Sequence, residues 1–119
     1  MKVYFLRVKT FPAGLRFNTD LCHIKIGQAE DSDVRLNAWK RVFDRHGYGF
    51  EQLGFVDAKS DREIHDLLKK NLYLQCHMPT SKVCVNIKHY SVTKEVFQIE
   101  SGELKCLLER SGYQWVDGP

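Results

Sequence analysis

The alternation of apolar and polar residues at the beginning of the chain indicates two strands. Residues 2–8 are rich in β-branched and aromatic side chains and predict one strand, and residues 21–26, which end at Gly27, predict another. Proline, glycine and asparagine residues between them indicate a long loop over 9–20. Because the two strands are close in sequence, we expect them to pair as an antiparallel hairpin.

Apolar residues at helical spacing follow in two later segments. The first segment begins at the polar cluster 31–33, which favours a helix start, and ends at Gly47, a typical helix stop. Residues 50–57 predict a third strand. The sequence Ser-Asp-Arg-Glu at 60–63 has the form of a capping box and opens a second helix. The apolar stripe of this helix consists of Ile64, Leu67, Leu68 and Leu72.

The pattern in the last part of the chain is less regular. Over 75–92 a proline favours a loop and residues 83–87 favour a short strand, and residues 95–99 predict another. Residues 101–110 predict a last helix that ends at Gly112. No internal repeat is evident. The pattern therefore predicts an α+β domain with a small three-stranded antiparallel sheet flanked by helices, a ββαβα core with a short β/α addition at the C-terminal end.

Length and composition agree with a single globular domain over 1–119. Hydrophobic residues make up 43% of the chain and charged residues 28%, which excludes disorder. No apolar run reaches the roughly 18 residues that a membrane span requires. Lys2, Arg7 and Lys9 interrupt the apolar N-terminal segment, unlike the core of a signal peptide. We therefore expect a cytoplasmic protein whose four cysteines are reduced thiols.

The formal net charge of +3 is unevenly distributed along the chain. Residues 1–50 carry nine basic and five acidic side chains, whereas residues 91–119 carry three basic and five acidic ones. The basic half is compatible with an anionic ligand bound to the N-terminal part of the protein. The alternative is that the uneven distribution of charge arises by chance in so short a chain, and charge alone leaves both interpretations open.

One series of motifs carries the candidate chemistry. Val3-Tyr4 lies in the first predicted strand, Lys25-Ile26-Gly27 ends the second, and Arg35 follows on the first turn of the next helix. Glu63 and His65 open the second helix. This order resembles the GIY-YIG nuclease superfamily, and more specifically its phage and microbial branch, in which the second motif reads KIG and a Glu-x-His pair starts a later helix.

The resemblance covers about residues 2–110, nearly the whole chain, and includes Glu95-Val96-Phe97, which is similar to a Glu-x-Phe segment that closes the family's domain. Two motif positions depart from the usual residues. Lys2 stands where the first motif has glycine, and Lys25 replaces the tyrosine of the second, a change that this branch accepts. These departures, with the long loop over 9–20, concern the geometry of the hairpin more than the fold.

The resemblance implies a reaction and a role for each motif residue. The family hydrolyses phosphodiester bonds with one divalent metal ion, usually Mg²⁺, for which Mn²⁺ can stand in. By this resemblance Glu63 holds the metal, Arg35 contacts the scissile phosphate, and either Tyr4 or Lys25 positions or deprotonates the attacking water. His65 transfers a proton or orients another residue of the site. Gly27 is a structural part of the second motif.

A set of basic side chains is a candidate rim for substrate binding. Contacts of this kind hold the phosphate backbone without reading its sequence. The alternative is a solvated helix face whose basic C-terminal end suits the helix dipole. The residues are Lys9, Arg16, Lys40, Arg41 and Arg45.

Two functions of different kinds follow from these observations. The first is a metal-dependent endonuclease that acts on nucleic acid, with DNA as the expected form. The second is a catalytically silent module of the same fold that binds nucleic acid or a partner protein. Taken singly, each motif residue also has a structural explanation: Glu63 as a helix cap, Tyr4 as a strand aromatic, Arg35 as a surface residue. Because one active site cuts one strand, cleavage of a duplex would take a homodimer or two successive nicks.

Overall fold

In the computed structural model, an antiparallel sheet of six strands forms the centre of the protein. The structure describes residues 1–10, 22–29, 37, 40–41, 44–45, 47–76 and 96–118. The strands are β1 (Lys2–Thr10), β2 (His23–Ala29), β3 (Gly49–Asp57), β4 (Gln75–Cys76), β5 (Val96–Gln98) and β6 (Val116–Asp117), and the helices with described bounds are α1 (Asp61–Lys70) and α2 (Ser101–Arg110). The strand order in the sheet is β4-β5-β2-β1-β3-β6. In this described part of the chain, no helix is both long and apolar enough to cross a membrane.

The prediction of a three-stranded sheet is wrong, although the arrangement remains of α+β type. The three long strands β2, β1 and β3 lie at the centre of the sheet, and three short strands extend it at both edges. Strands β4 and β6 contain two residues each. The alternation of apolar and polar residues that identifies a strand cannot be recognised over only two residues. These strands exist because the chain returns to the sheet edge after each helix, which is a tertiary event.

The predicted hairpin is confirmed, with different bounds. Strands β1 and β2 are antiparallel neighbours, paired from Lys2–Ala29 to Arg7–Ile24. Strand β2 continues through Gly27 instead of ending there. The segment predicted as the first helix is helical at every position that the structure describes within it, namely Asn37, Lys40, Arg41, Asp44 and Arg45. The strand predicted at 83–87 lies outside the described residues.

Both helices pack on one face of the sheet, which we call the helix face. Its core contains aliphatic and aromatic residues from strands and helices alike, all 5% exposed or less. Trp115 closes this core at one end, because its ring stacks on that of Phe5 with centroids 5.3 Å apart. The core residues are Val3, Phe5, Ile24, Ile26, Val56, Ile64, Leu68, Phe97, Ile99, Leu104, Leu107 and Leu108.

The two helices end in the same hydrogen-bonded turn, the Schellman motif. The N–H of Tyr73 donates to the carbonyl of Leu68 after α1, and the N–H of Tyr113 donates to that of Leu108 after α2, both at 3.0 Å. The residue before each tyrosine is left-handed, and at the end of α2 it is Gly112, as predicted. In α1 it is a leucine.

Leu72 is this left-handed residue, with φ of 65°. The prediction that Leu72 belongs to the apolar stripe of α1 is wrong, because it follows the helix and is 92% exposed. A left-handed backbone is costly for a side chain with a Cβ atom.

A repeat that is not evident in the hydrophobic pattern relates the two helical units. Positions 63–73 and 103–113 share Glu, Leu-Leu and Tyr at the same places, four identities in eleven positions. The two units, β3-α1-β4 and β5-α2-β6, also occupy corresponding places: β3 and β5 flank the central β2–β1 pair, and β6 and β4 lie outside them. The second unit therefore repeats the architecture of the first around the middle of the sheet.

Replacing Leu72 by glycine should stabilise the protein. Glycine adopts the left-handed conformation without steric cost, and the exposed leucine loses no packing. We expect the free energy of unfolding in urea to rise by about 1 kcal/mol. Leu74→Gly is the control, because Leu74 is also exposed but does not have a positive φ. If Leu72→Gly lost as much stability as Leu74→Gly, the left-handed backbone at Leu72 would not be strained.

Candidate functional site

The pairing of β1 with β2 brings three residues of the predicted site together. Tyr4 lies directly opposite Gly27, and Leu6 lies directly opposite Lys25. Directly paired residues point to the same face of a sheet, and alternate residues of a strand do the same. Tyr4, Lys25 and Gly27 therefore share the face opposite the helix face.

The aromatic ring of Tyr4 lies across Gly27. A Cβ atom at Gly27 would be 2.5 Å from the Tyr4 hydroxyl oxygen and 2.6 Å from Cζ. Gly27 does not have a positive φ, so the requirement for glycine here is space and not backbone freedom. Tyr4 is only 4% exposed, so its ring has little room to move aside.

Lys25 is buried beside this pair, with 2% of its surface exposed. Its cross-strand neighbours Leu6 and Val96 are fully buried, so the lysine stem lies among apolar side chains. Lysines are rarely buried to this degree, because taking an ammonium group out of water is costly. A buried lysine next to a buried tyrosine is therefore a candidate for chemistry.

His23 is a residue of this face that the sequence analysis missed. It lies two positions before Lys25 in β2, on the same face, and is 5% exposed. Its cross-strand partner is Gln98 in β5. The available signal was the strand period itself, which places His23, Lys25 and Gly27 on one side.

Glu63 belongs to the other side of the sheet. The neighbouring Ile64 is part of the core on the helix face. The Glu63 carboxylate accepts hydrogen bonds from the Lys59 N–H at 3.1 Å and from the Tyr113 hydroxyl. These two bonds, the tyrosine first, hold the pKa of the Glu63 carboxyl below its usual value.

The capping box predicted at 60–63 is wrong in its details. Ser60 occupies the N-cap position but makes no side-chain hydrogen bond to the helix. The N–H of Asp61 instead donates to the side-chain oxygen of Gln28 at 2.7 Å. Because Gln28 follows Gly27 in β2, this bond ties the start of α1 to the hairpin.

The two parts of the predicted site therefore lie on opposite faces of the sheet. The structure brings Tyr4 and Lys25 together, and it places Glu63 and His65 on the helix that covers the other face. His65 stands about 200° around the helix from Glu63. Its ring lies 5.4 Å from that of Phe97. Arg35 and Arg16 lie outside the described residues.

The described residues of the predicted basic rim are exposed or half-buried. Lys9 forms an ion pair with Glu51 at 3.3 Å, and Arg7 lies 3.9 Å from the same carboxylate. Lys40 is half-buried. Arg41 and Arg45 are exposed helical residues four positions apart, which places them on one side of their helix.

Each helix is fastened to the other by a tyrosine and a glutamate, a pair that we call a Tyr–Glu clasp. The Tyr113 hydroxyl donates to Glu63, and the Tyr73 hydroxyl donates to Glu103 at 3.1 Å. Both glutamates are the third residue of a helix, and both tyrosines follow a helix end. The clasps therefore hold α1 and α2 antiparallel, the end of each beside the start of the other.

Glu63 can offer a metal ion a single carboxylate. Among the described residues, no group of three or more His, Cys, Asp or Glu side chains could hold a metal. Each oxygen of the Glu63 carboxylate accepts one hydrogen bond and keeps lone-pair capacity for another partner. A lone carboxylate would hold Mg²⁺ only if water and substrate oxygens completed the shell of the ion.

The contact between Tyr4 and Gly27 predicts a cost for any side chain at position 27. Gly27→Ala should lower the free energy of unfolding by about 1–3 kcal/mol, the usual range for overpacking. In a Tyr4→Ala background the same substitution should cost much less, because the ring is absent. Gly102→Ala is the control, because a Cβ atom there meets nothing within 4 Å. Equal costs of Gly27→Ala in both backgrounds would contradict the contact.

The Tyr113–Glu63 clasp predicts a loss of stability at alkaline pH. Burial, followed by the hydrogen bond to Glu63 and its charge, raises the pKa of Tyr113 to about 12. The ordinary value is about 10, so this contribution to stability is complete below pH 10 and is lost as pH rises towards 12. Urea unfolding at pH 9, 10 and 11 should therefore show a shallower decline for Tyr113→Phe than for the parent. If the free energy of unfolding fell equally with pH in the parent and in Tyr113→Phe, the pKa of Tyr113 would not be raised in the folded protein.

No protein-family model, curated protein or solved structure matches this chain. The likeness to the GIY-YIG superfamily therefore remains a resemblance of motif residues alone.

Proposed function

We propose that the protein is a metal-dependent endonuclease that hydrolyses phosphodiester bonds in nucleic acid, with DNA as the expected substrate. One observation supports this proposal above the others. The first-motif Tyr4 lies directly across from the second-motif Gly27, with buried Lys25 on the same face. This is the juxtaposition that the two motifs require if they form one site.

The chemistry assigns different tasks to these groups. Phosphodiester hydrolysis requires a water that loses a proton and positive groups that stabilise the charge growing on the phosphate. The Tyr4 hydroxyl and the Lys25 amine are the groups that would orient the water, and Arg35 would contact the phosphate. Mg²⁺ held by Glu63 would neutralise charge on the phosphate, but Glu63 lies on the face of the sheet opposite Tyr4 and Lys25. The exposed Arg41 and Arg45 would contact the nucleic-acid backbone.

A second candidate function is a module of the same fold that binds nucleic acid or a partner protein without cutting. The observation that favours it concerns Glu63. Its carboxylate takes part in a Tyr–Glu clasp that recurs at Tyr73 and Glu103, where no site is predicted. Glu63 also belongs to the helix on the face opposite Tyr4. The clasp alone therefore explains a glutamate at position 63.

Nicking of supercoiled plasmid in Mg²⁺ or Mn²⁺ distinguishes the two functions. Glu63→Gln keeps the shape of the side chain and removes its charge, and Glu103→Gln makes the same change in the other clasp. The nuclease proposal expects Glu63→Gln to slow nicking by about 100-fold or more, whereas Glu103→Gln nicks like the parent. Lys25→Met, which keeps the apolar stem, should also lose activity.

The remaining outcomes decide against the nuclease. Equal nicking by the parent and all three variants would identify a contaminating enzyme. If the parent does not nick but retains DNA in a salt-sensitive manner, it is a nucleic-acid-binding module. If it binds neither DNA nor RNA, the alternative is a protein partner.

A further inference from the structure

We propose that Tyr113 is a positioning residue for Glu63: its hydroxyl holds the carboxylate in the orientation in which that side chain binds a divalent cation. This inference rests on the proposed function, because it gives Tyr113 a part in the metal site that the nuclease requires. Tyr113 lies outside the motifs that resemble the GIY-YIG family and fifty residues beyond Glu63.

The segment that follows α2 and carries Tyr113 is attached to the sheet at several points. The Tyr113 N–H donates to the Leu108 carbonyl at the end of α2. Two residues later Trp115 stacks on Phe5, and β6 then pairs with β3. The N–H of Gly118 completes the attachment by donating to the Leu53 carbonyl at 3.1 Å. The backbone therefore fixes the place of the tyrosine ring from both sides.

The same segment packs closely over β3 at Gly54, where there is no side chain. A Cβ atom at Gly54 would come within 2.7 Å of the Trp115 ring, so the segment crosses β3 where no side chain interferes. The position of the Tyr113 hydroxyl thus depends on packing at the far edge of the sheet and not on α1, which carries Glu63.

The carboxylate of Glu63 is held at two points. Oε2 accepts from the Lys59 N–H, and Oε1 accepts from Tyr113. Two donors on different oxygens fix the plane of the carboxylate, which would otherwise rotate about its last torsion. Carboxylates that bind metals are commonly oriented by such outer hydrogen bonds, and loss of one weakens metal affinity by about 10- to 100-fold.

The clasp between Tyr73 and Glu103 provides a matched comparison in the same chain. Tyr73→Phe and Tyr113→Phe each delete one hydroxyl that donates to the third residue of a helix. A purely structural role predicts that the two substitutions behave alike. A positioning role predicts that only Tyr113→Phe changes what Glu63 binds.

Binding of Mn²⁺ to the full chain, measured by the electron paramagnetic resonance signal of the free ion, tests this inference. Tyr113→Phe should weaken Mn²⁺ binding by about 10-fold, while Tyr73→Phe leaves it unchanged. Both variants should lower the melting temperature by similar amounts. In the nicking assay, Tyr113→Phe should raise the Mn²⁺ concentration for half-maximal rate and leave the maximal rate near that of the parent.

The outcomes separate this inference from the proposed function. If Glu63→Gln abolishes Mn²⁺ binding and Tyr113→Phe leaves it unchanged, the positioning role is wrong and the metal site stands. Tighter binding in Tyr113→Phe would mean that the hydroxyl competes with the cation, which also overturns the role. Absent Mn²⁺ binding, or binding that Glu63→Gln does not affect, overturns the proposed function and this inference together.

Discussion

The rest of the structure depends on the pairing of β1 with its two neighbours. With β2 its register is unbroken from Lys2 to Arg7, whereas with β3 it shifts between Phe5 and Leu6. The β2 register turns Phe5 towards the helices and Tyr4 towards Gly27. A slip of one residue would exchange the two faces and place the tyrosine in the apolar core. The core and the candidate site are therefore specified by the same set of backbone hydrogen bonds.

The two faces of the sheet differ in chemistry. The helix face is apolar, and its two helices are joined by clasps between charged and phenolic groups at their ends. The opposite face buries Lys25 and His23 together with Tyr4. Burying such groups costs free energy, so packing alone does not explain their position on this face. The buried polar groups of the hairpin and the Glu63 carboxylate therefore lie on opposite sides of the sheet.

The sequence predicted the long elements well, because periodicity extends over many residues in each. Helix α2 has the predicted bounds, and Gly112 ends it through a left-handed turn that favours glycine. The failures arise from long-range contacts. Gln28, thirty-three positions away, caps α1 in place of Ser60. The pattern correctly paired the first two strands as a hairpin, but it could not show on which face the helix of Glu63 would pack.

The repeated units have a consequence for how the protein folds. Strand β4 follows α1 but pairs with β5 of the other unit, and β6 follows α2 but pairs with β3 of the first. Each unit thus supplies the outermost strand beside its counterpart, as subunits do in a domain-swapped dimer. Neither unit therefore contains a complete edge of the sheet. The protein is in this sense an intramolecular dimer, in which the last strand of each unit depends on the other unit for its partner.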